Sequence, residues 1–376
     1  MTKLYELAEQ GQSVWLDYIS RPLIISGELQ KLVAKGLRGI TSNPTIFEKA
    51  IAGSTDYDED LKRLADEGKT VDEIYESLVI DEIRRAADIL LPVHEETNGL
   101  DGYVSLEVNP NLANDTESTV GEARRLFATL ERPNVMIKVP ATPAGIPAIE
   151  TLIGEGVNIN VTLIFSLEQY EAVAKAYIAG LEKLAASGGD VAKVGSVASF
   201  FISRVDTAVD DALEKVVNTE MQGKIAIDQA KIAYARFKEV FSGEKWERLA
   251  AKGGRVQRPL WASTGTKNPA YPDTLYVDNL VGPDTVNTLP PATLEAFLDH
   301  GNVATTLESD VEGARSRITE LAGLGIDIDA ITKQLLEDGV KSFAKSFDAL
   351  LASITKKREK LLWNWQQPSA GFGPPH

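Results

Sequence analysis

Short apolar segments alternate with longer amphipathic segments along most of the chain. Eight of the apolar segments are rich in Val, Ile, Thr and aromatic residues, which is the composition of β-strands. They are residues 13–19, 36–43, 102–109, 134–141, 157–166, 193–204, 258–264 and 284–290. Most of them are apolar almost throughout, which is typical of strands covered on both faces, as in parallel sheets.

The stretches between these segments carry helix signals. Asn43-Pro44 predicts a helix N-cap followed by a proline in the first turn, and Thr70 with Glu73 has the spacing of a capping box. Near the C-terminus, apolar residues recur three or four positions apart, which predicts one buried face of a helix. These residues are Val340, Phe343, Phe347, Leu350, Leu351 and Ile354.

Eight repeats of strand and helix predict an α/β fold, a (β/α)8 TIM barrel with additional helices. The alternative is an open, doubly wound sheet, but no Gly-x-Gly-x-x-Gly sequence follows the first strand. Because no Pro-, Gly- or Ser-rich linker divides the chain, we expect one domain over residues 1–367, with helical insertions near 50–100 and 218–252. Residues 368–376 (PSAGFGPPH) have the composition of a flexible tail.

Composition removes several kinds of chemistry. The 376 residues include no Cys and only three His, which are His94, His300 and His376. Disulfides, thiolate nucleophiles, zinc–thiolate sites and iron–sulfur clusters are excluded, and no metal site is expected. The chain has 39 basic and 55 acidic residues, a formal net charge of −16. This charge repels phosphate polyanions, so we expect no nucleic-acid partner and no anionic membrane partner.

Nothing in the sequence predicts export or membrane insertion. No apolar run approaches the roughly 20 residues of a membrane-spanning helix, and MTKLYELAEQGQ at the N-terminus lacks the apolar core of a signal peptide. The composition, 43% hydrophobic and 25% charged, is ordinary for a globular protein. We therefore expect a soluble cytoplasmic protein, and the sequence leaves its state open between a monomer and a homodimer.

Lys138 is the most informative polar residue at a strand end. It stands in VMIKVP, between Ile137 and Val139. A TIM barrel builds its active site at the carboxyl ends of its strands. Burial there disfavours the charged form of an amine, and a neutral amine can attack a carbonyl to form a Schiff base. The alternative is a structural lysine that pairs with a carboxylate or reaches solvent.

Other polar residues at strand ends also have two interpretations. Glu107 in SLEVN is either an acid/base group with a raised pKa or an ion-pair partner. Asp17 is either functional or a helix N-cap. Asn158, Asn160 and Thr162 alternate, so they face one side of a strand, and they indicate a hydrogen-bonded barrel interior.

The segments after the sixth and seventh strands supply groups that bind anions. Arginine presents a planar fork of donors that fits phosphate oxygens. Phosphate sites in TIM barrels often lie in the loops after the last strands. The candidates in these segments are Arg204, Ser263 and Lys267.

Six of these segments together resemble the transaldolase family, in its longer bacterial form. They are ITSNPTIF, SLEVNP, VMIKVPAT, NINVTLIFS, SFFISRVD and WASTGTKNP. The resemblance extends over about residues 4–360. It implies a (β/α)8 barrel without a metal or an organic cofactor. It also implies small phosphorylated sugars as substrates, and transfer of a dihydroxyacetone unit through a lysine Schiff base, in the non-oxidative pentose phosphate pathway.

The resemblance also implies roles for individual residues. Lys138 matches the Schiff-base lysine and Asp17 the acid/base group of carbon–carbon cleavage. Glu107 and Thr162 match the pair that positions the catalytic water. The residues that match the sugar and phosphate site are Asn43, Asn160, Ser199, Phe201, Arg204 and Ser263.

One segment departs from the family pattern. Many members have Ser-Phe-Arg-Asn after the seventh strand, where this chain has STGTKN. Lys267 then stands in place of an arginine and is displaced by two residues. A lysine lacks the bidentate fork of arginine, so the phosphate geometry is expected to differ here.

Two other functions remain open from the sequence. A different Schiff-base aldolase would use the same lysine and barrel, but would release its three-carbon fragment or use free dihydroxyacetone. A non-catalytic barrel that binds sugar phosphates would be favoured by loss of Lys138 or Glu107, and both residues are present.

Overall fold

Eight parallel strands form a closed barrel in the computed structural model, which describes residues 2–366 and their side chains up to residue 360. The strands are β1 (Gln12–Leu16), β2 (Gly39–Thr41), β3 (Tyr103–Glu107), β4 (Val135–Pro140), β5 (Ile159–Ile164), β6 (Ser196–Phe201), β7 (Arg258–Ala262) and β8 (Thr285–Leu289). Each strand pairs with the next, and β8 pairs with β1. Each overlaps one predicted segment, which confirms the (β/α)8 barrel.

α-Helices connect the strands and surround the barrel. They are α1 (Lys3–Glu9), α2 (Arg21–Ile25), α3 (Glu28–Ala34), α4 (Pro44–Ala52), α5 (Asp58–Asp66), α6 (Val71–Glu96), α7 (Thr116–Leu130), α8 (Gly145–Gly154), α9 (Leu167–Ala186), α10 (Ser203–Lys215), α11 (Ile225–Val240), α12 (Gly243–Ala250), α13 (Leu275–Asn279), α14 (Pro291–His300), α15 (Val311–Gly323) and α16 (Ile328–Gln366). Short 3-10 helices lie at Pro110–Leu112 and Val191–Lys193. Within residues 2–366, no helix combines the length and the apolar character that a membrane crossing requires.

The predicted helix starts are confirmed. Asn43 Oδ1 accepts a hydrogen bond from Ile46 N at 3.0 Å and caps α4, and Thr70 with Glu73 forms a capping box at α6. Helices α5 and α6 occupy the region near 50–100, and α11 and α12 that near 218–252. The predicted tail, 368–376, lies outside the described residues, and the assignment of one domain stays a prediction.

Helix α16 lies over the carboxyl ends of the strands. It packs against α4, α5 and α10. Ser346 Oγ lies 2.8 Å from Thr45 Oγ1, which follows β2, and Asp348 Oδ1 accepts from Asn111 Nδ2, which follows β3. The predicted apolar face is buried at Phe343, Phe347, Leu350 and Ile354.

A buried ion pair links three parts of the chain at the amino-terminal end of the barrel. Arg258, at the start of β7, donates to Asp101 Oδ1 at 2.8 Å, and both side chains are almost fully buried. Ser13 Oγ donates to Asp101 Oδ2 at 2.6 Å and Trp15 Nε1 to Oδ1 at 3.0 Å. Because the carboxylate receives donors from β1 and β7, it fixes these strands to the segment that precedes β3.

We predict that Arg258→Met lowers the free energy of unfolding by about 3–5 kcal/mol, because it leaves the Asp101 carboxylate buried without its counter-charge. The control is Arg132→Met, which removes an exposed ion pair with Asp88 and should cost at most about 1 kcal/mol. Urea unfolding of both variants measures the difference. Equal small losses would contradict a structural role for the Arg258–Asp101 pair.

Candidate active site

A cleft opens at the carboxyl ends of the strands and holds most of the predicted site residues. Its lining consists of Asp17, Thr41, Asn43, Lys138, Thr162, Ser199, Phe201, Arg204, Leu260, Ala262, Ser263, Thr288 and Phe343. All of the predicted site residues line this cleft except Glu107, Asn160 and Lys267. Polar residues at or just after the ends of several strands therefore converge at one end of the barrel.

Lys138 lies at the centre of the site. Its side chain is 6% exposed, and its Nζ donates to the backbone carbonyl of Ser42 at 3.0 Å and lies 3.6 Å from Glu107 Oε2. In the strand register Lys138 is paired with Glu107 of β3 on one side and with Asn160 of β5 on the other. Residues in register across parallel strands share a face of the sheet, so these three polar side chains stand in one row.

Glu107 is the acidic partner of this lysine. Burial raises the pKa of the Glu107 carboxyl to about 7, although the nearby charges of Lys138 and Arg204 oppose the rise. Within the described chain, Glu107 Oε2 is buried and has no hydrogen-bond partner. The carboxyl can therefore hold a proton or release it near neutral pH, which is the property of a proton shuttle.

Thr162 presents a second buried oxygen without a partner. The side chain is fully buried on β5, and its Oγ1 has no hydrogen-bond partner among residues 2–366. The pairing of β5 with β6 shifts register between Val161 and Ile164, and Leu163 has a positive φ of 59°. Such a β-bulge changes the direction of the adjacent side chain. The irregularity thus occurs at the residue expected to position water.

Asp17 is held at the edge of the cleft by its neighbours. Thr41 Oγ1 donates to Asp17 Oδ1 at 2.8 Å, and Asp17 N donates to the carbonyl of Leu289 at 2.8 Å, which extends the pairing of β1 with β8. The N-cap of α2 is Ser20, so Asp17 is not a helix cap. The strand fixes the backbone of Asp17 and the threonine fixes one oxygen of its carboxylate.

The amide side chains of the site differ in what they contact. Asn160 is fully buried and does not line the cleft. It donates to Ser105 Oγ at 3.0 Å and accepts from Ser199 Oγ at 2.7 Å. Asn160 therefore orients Ser199, which does line the cleft. Asn43 uses its oxygen to cap α4, and its side chain lines the cleft. Asn158 lies below the site and binds backbone, including Gly195 N.

Arg204 and Ser263 form a cationic end of the cleft. The Arg204 guanidinium carbon lies 5.3 Å from the ring centre of Phe201 and 5.7 Å from that of Phe343. Burial lowers the pKa of Arg204, while the charges of Asp17 and Glu107 oppose this. Arginine nevertheless stays charged in proteins. Arg204 lies in the first turn of α10, where helix N–H groups and the helix dipole favour an anion.

The segment after β7 is attached to α10 at three points. Ser263 has a positive φ of 58°, and its Oγ lies 2.9 Å from that of Ser203, the first residue of α10. Further along, Tyr271 donates to Asp210 at 2.6 Å, and Tyr276 donates to Asp206 at 2.8 Å. These tyrosine–aspartate hydrogen bonds hold the two walls of the cationic end together.

Lys267 is exposed and does not line the cleft. Three other groups contribute to the site but are given no role from the sequence. The Ser42 carbonyl that binds Lys138 is backbone, which no residue type reveals. Thr41 is a polar strand end without a distinguishing signal. Phe343 lies on the apolar face of α16, where its spacing is that of any core residue.

The chain is similar to known proteins over most of its length. The family model described as Transaldolase/Fructose-6-phosphate aldolase matches residues 14–354. A protein named Transaldolase from Trichodesmium erythraeum (strain IMS101) is 50% identical over 95% of this chain and 98% of its own length. A protein named Transaldolase from Thiobacillus denitrificans (strain ATCC 25259 / T1) is 50% identical over 93% of this chain and 98% of its own length. Another, from Thermobifida fusca (strain YX), is 48% identical over 94% of this chain and 98% of its own length. The chain belongs to the transaldolase/fructose-6-phosphate aldolase family.

Proposed function

We propose that this chain catalyses the transaldolase reaction through a Schiff base at Lys138. A dihydroxyacetone unit passes from sedoheptulose 7-phosphate to glyceraldehyde 3-phosphate, and the products are erythrose 4-phosphate and fructose 6-phosphate. The observation that carries the proposal is a buried lysine amine, 3.6 Å from a carboxyl group whose pKa burial raises to about 7, at the base of a cleft with a cationic end. The relatives named Transaldolase support it.

The first step is formation of the Schiff base. The unprotonated amine of Lys138 attacks the ketone carbon of the donor, and the carbinolamine then loses water to become an iminium. This loss needs a proton on the departing oxygen, and Glu107 supplies it. Glu107 Oε2 and Thr162 Oγ1 are free to bind the water, since neither has a hydrogen-bond partner in the described chain. The same two groups return water when the product is released.

The second step is cleavage of the C3–C4 bond. The iminium accepts the electrons of this bond, while Asp17 removes the proton from the C4 hydroxyl. The hydrogen bond from Thr41 keeps the Asp17 carboxylate in position. Erythrose 4-phosphate leaves, and the three-carbon enamine stays attached to Lys138. The enamine then attacks glyceraldehyde 3-phosphate, and hydrolysis releases fructose 6-phosphate.

The remaining predicted residues bind the substrates. Arg204 and Ser263 receive the phosphate, because the arginine fork and the hydroxyl suit phosphate oxygens. Sugar hydroxyls contact the side chains of Asn43 and Ser199, and Phe201 forms an apolar wall. Asn160 acts through Ser199. Lys267, which is exposed, acts only on the outer part of a bound phosphate. The substrates belong to central sugar metabolism, from which we infer a cytoplasmic location.

Borohydride trapping tests the nucleophile. Incubation with fructose 6-phosphate and borohydride should leave a reduced three-carbon adduct on Lys138, located by peptide mapping. Lys138→Met should abolish the adduct and lower kcat by several orders of magnitude, as removal of a nucleophile does. The matched control is Lys252→Met, at an exposed residue, which should keep both the adduct and the normal kcat. An adduct on another lysine would disprove the assignment.

A second prediction concerns Asp17. In Asp17→Asn the Schiff base should still form, because Lys138 and Glu107 are intact, but the C3–C4 bond should break slowly. We expect kcat to fall by about 10²–10⁴-fold, the usual contribution of a general base. Mass spectrometry after borohydride treatment should detect a six-carbon adduct in place of the three-carbon one. A three-carbon adduct formed at the normal rate would exclude Asp17 from cleavage.

The pH dependence of kcat/KM tests Glu107. Its pKa of about 7 means that the carboxyl is protonated below neutral pH and ionised above it, so the wild-type profile should change slope near pH 7. Glu107→Gln should lose this inflection as well as most of the activity, because glutamine cannot exchange a proton. Glu117→Gln, at an exposed site on α7, is the control. An inflection that survives in Glu107→Gln belongs to another group.

A further inference from the structure

A second cavity reaches Glu107 from the side of the barrel. It has a volume of about 140 Å³ and lies between the end of β3, the first turns of α6, helix α7 and the middle of α16. Its lining extends from the exposed residues Asp72 and Arg125 to the buried residues Leu126 and Glu107. We call it the side cavity. Lys138, which contacts Glu107 at 3.6 Å, lines the substrate cleft and not this cavity.

We propose that the side cavity is a water port, which carries water between Glu107 and solvent while substrate occupies the cleft. This inference rests on the proposed function, because the Schiff-base mechanism releases one water and later consumes one. In the dehydration step the Glu107 carboxyl gives its proton to the carbinolamine oxygen, the C–O bond breaks, and the products are the iminium, a water and the Glu107 carboxylate. Hydrolysis reverses each of these changes.

The geometry of the two cavities supports separate routes for sugar and water. The cleft encloses only about 70 Å³, so a bound sugar phosphate fills it and extends outward through its mouth. Water formed at Lys138 then lies between the sugar and Glu107. Glu107 forms part of the wall of the side cavity, which has room for several waters.

The charges around the side cavity select against the substrates. Its outer part carries Asp72, Glu76 and Glu122 against a single basic residue, Arg125, which is paired with Glu76 at 2.6 Å and with Glu122 at 3.0 Å. The surplus of acidic groups repels phosphorylated sugars. The cleft has a different balance, since its lining sets Lys138 and Arg204 against one carboxylate, Asp17. Water passes either opening, whereas phosphate esters favour the cleft.

The inner part of the side cavity combines apolar and polar groups. Tyr75 and Phe347 meet edge to face with ring centres 5.2 Å apart. Burial raises the pKa of the Tyr75 phenol, and the charge of Glu107 contributes in the same direction. The phenol therefore stays protonated and can donate a hydrogen bond near the carboxylate. Together with Asn109 on the β3 side, it gives water polar partners along the path.

Isotope labelling of the donor oxygen tests the port. Fructose 6-phosphate labelled with ¹⁸O at C2 is mixed with enzyme and saturating erythrose 4-phosphate, and the sedoheptulose 7-phosphate is analysed after a few turnovers. If released water escapes through the port, the wild-type product carries almost no label, and a sample without enzyme shows how much label the donor itself keeps over the same time. Leu126→Phe, which fills the side cavity, should return the same water and raise the retained label several-fold.

Matched variants keep the test decisive. Leu126→Met conserves volume and should behave as wild type. Val79→Leu adds one methylene to the wall of the same cavity. It replaces Leu126→Phe as the cavity-filling variant if Leu126→Phe does not fold. The proposal of a water port would be wrong if Leu126→Phe and Leu126→Met retained equal amounts of ¹⁸O in the product. It would also be wrong if the wild-type product retained most of the label. Borohydride trapping on Lys138 is measured in parallel. If the adduct forms but Leu126→Phe retains no more ¹⁸O than the wild type, only the water port is refuted. If no adduct forms on Lys138, the proposed function is refuted.

Discussion

The contact between Lys138 and Glu107 is the constraint on which the site depends. An amine and a carboxyl that are both about 95% buried are stable only if each compensates for the water that the other has lost. Their separation is set by the register of β3 against β4, and that register is set by the closure of the whole barrel. A slip of one residue would turn Lys138 to the outer face of its strand. The chemistry is therefore tied to barrel geometry and not to a flexible loop.

This dependence explains which features the sequence reveals. Each strand and its polar end residue can be predicted, because the side-chain period of a strand is fixed and an inward polar residue interrupts an apolar run. Lys138, Glu107 and Asp17 are found in this way. The helix cap at Asn43 is equally local. In each case the signal and the structure it specifies lie within a few residues of each other.

Other features depend on parts of the chain that meet only in the folded protein. Phe343 comes from a helix far along the chain and looks like a core residue. Asn160 looks like a substrate ligand, yet its partners Ser105 and Ser199 on neighbouring strands occupy both ends of its amide. The side cavity exists only where four elements leave a gap between them. Sequence spacing carries no information about such gaps, because they depend on how side chains of distant segments pack.

The position of α16 has a consequence for synthesis of the protein. The barrel is complete at Leu289, since β8 then pairs with β1, but the wall that Phe343 places beside Arg204 belongs to a helix that begins at Ile328. In chain order, all eight strands therefore precede the residue that covers the cationic end of the cleft. Synthesis of the chain thus delivers the strands of the barrel first and the helix that completes the wall of the cleft last.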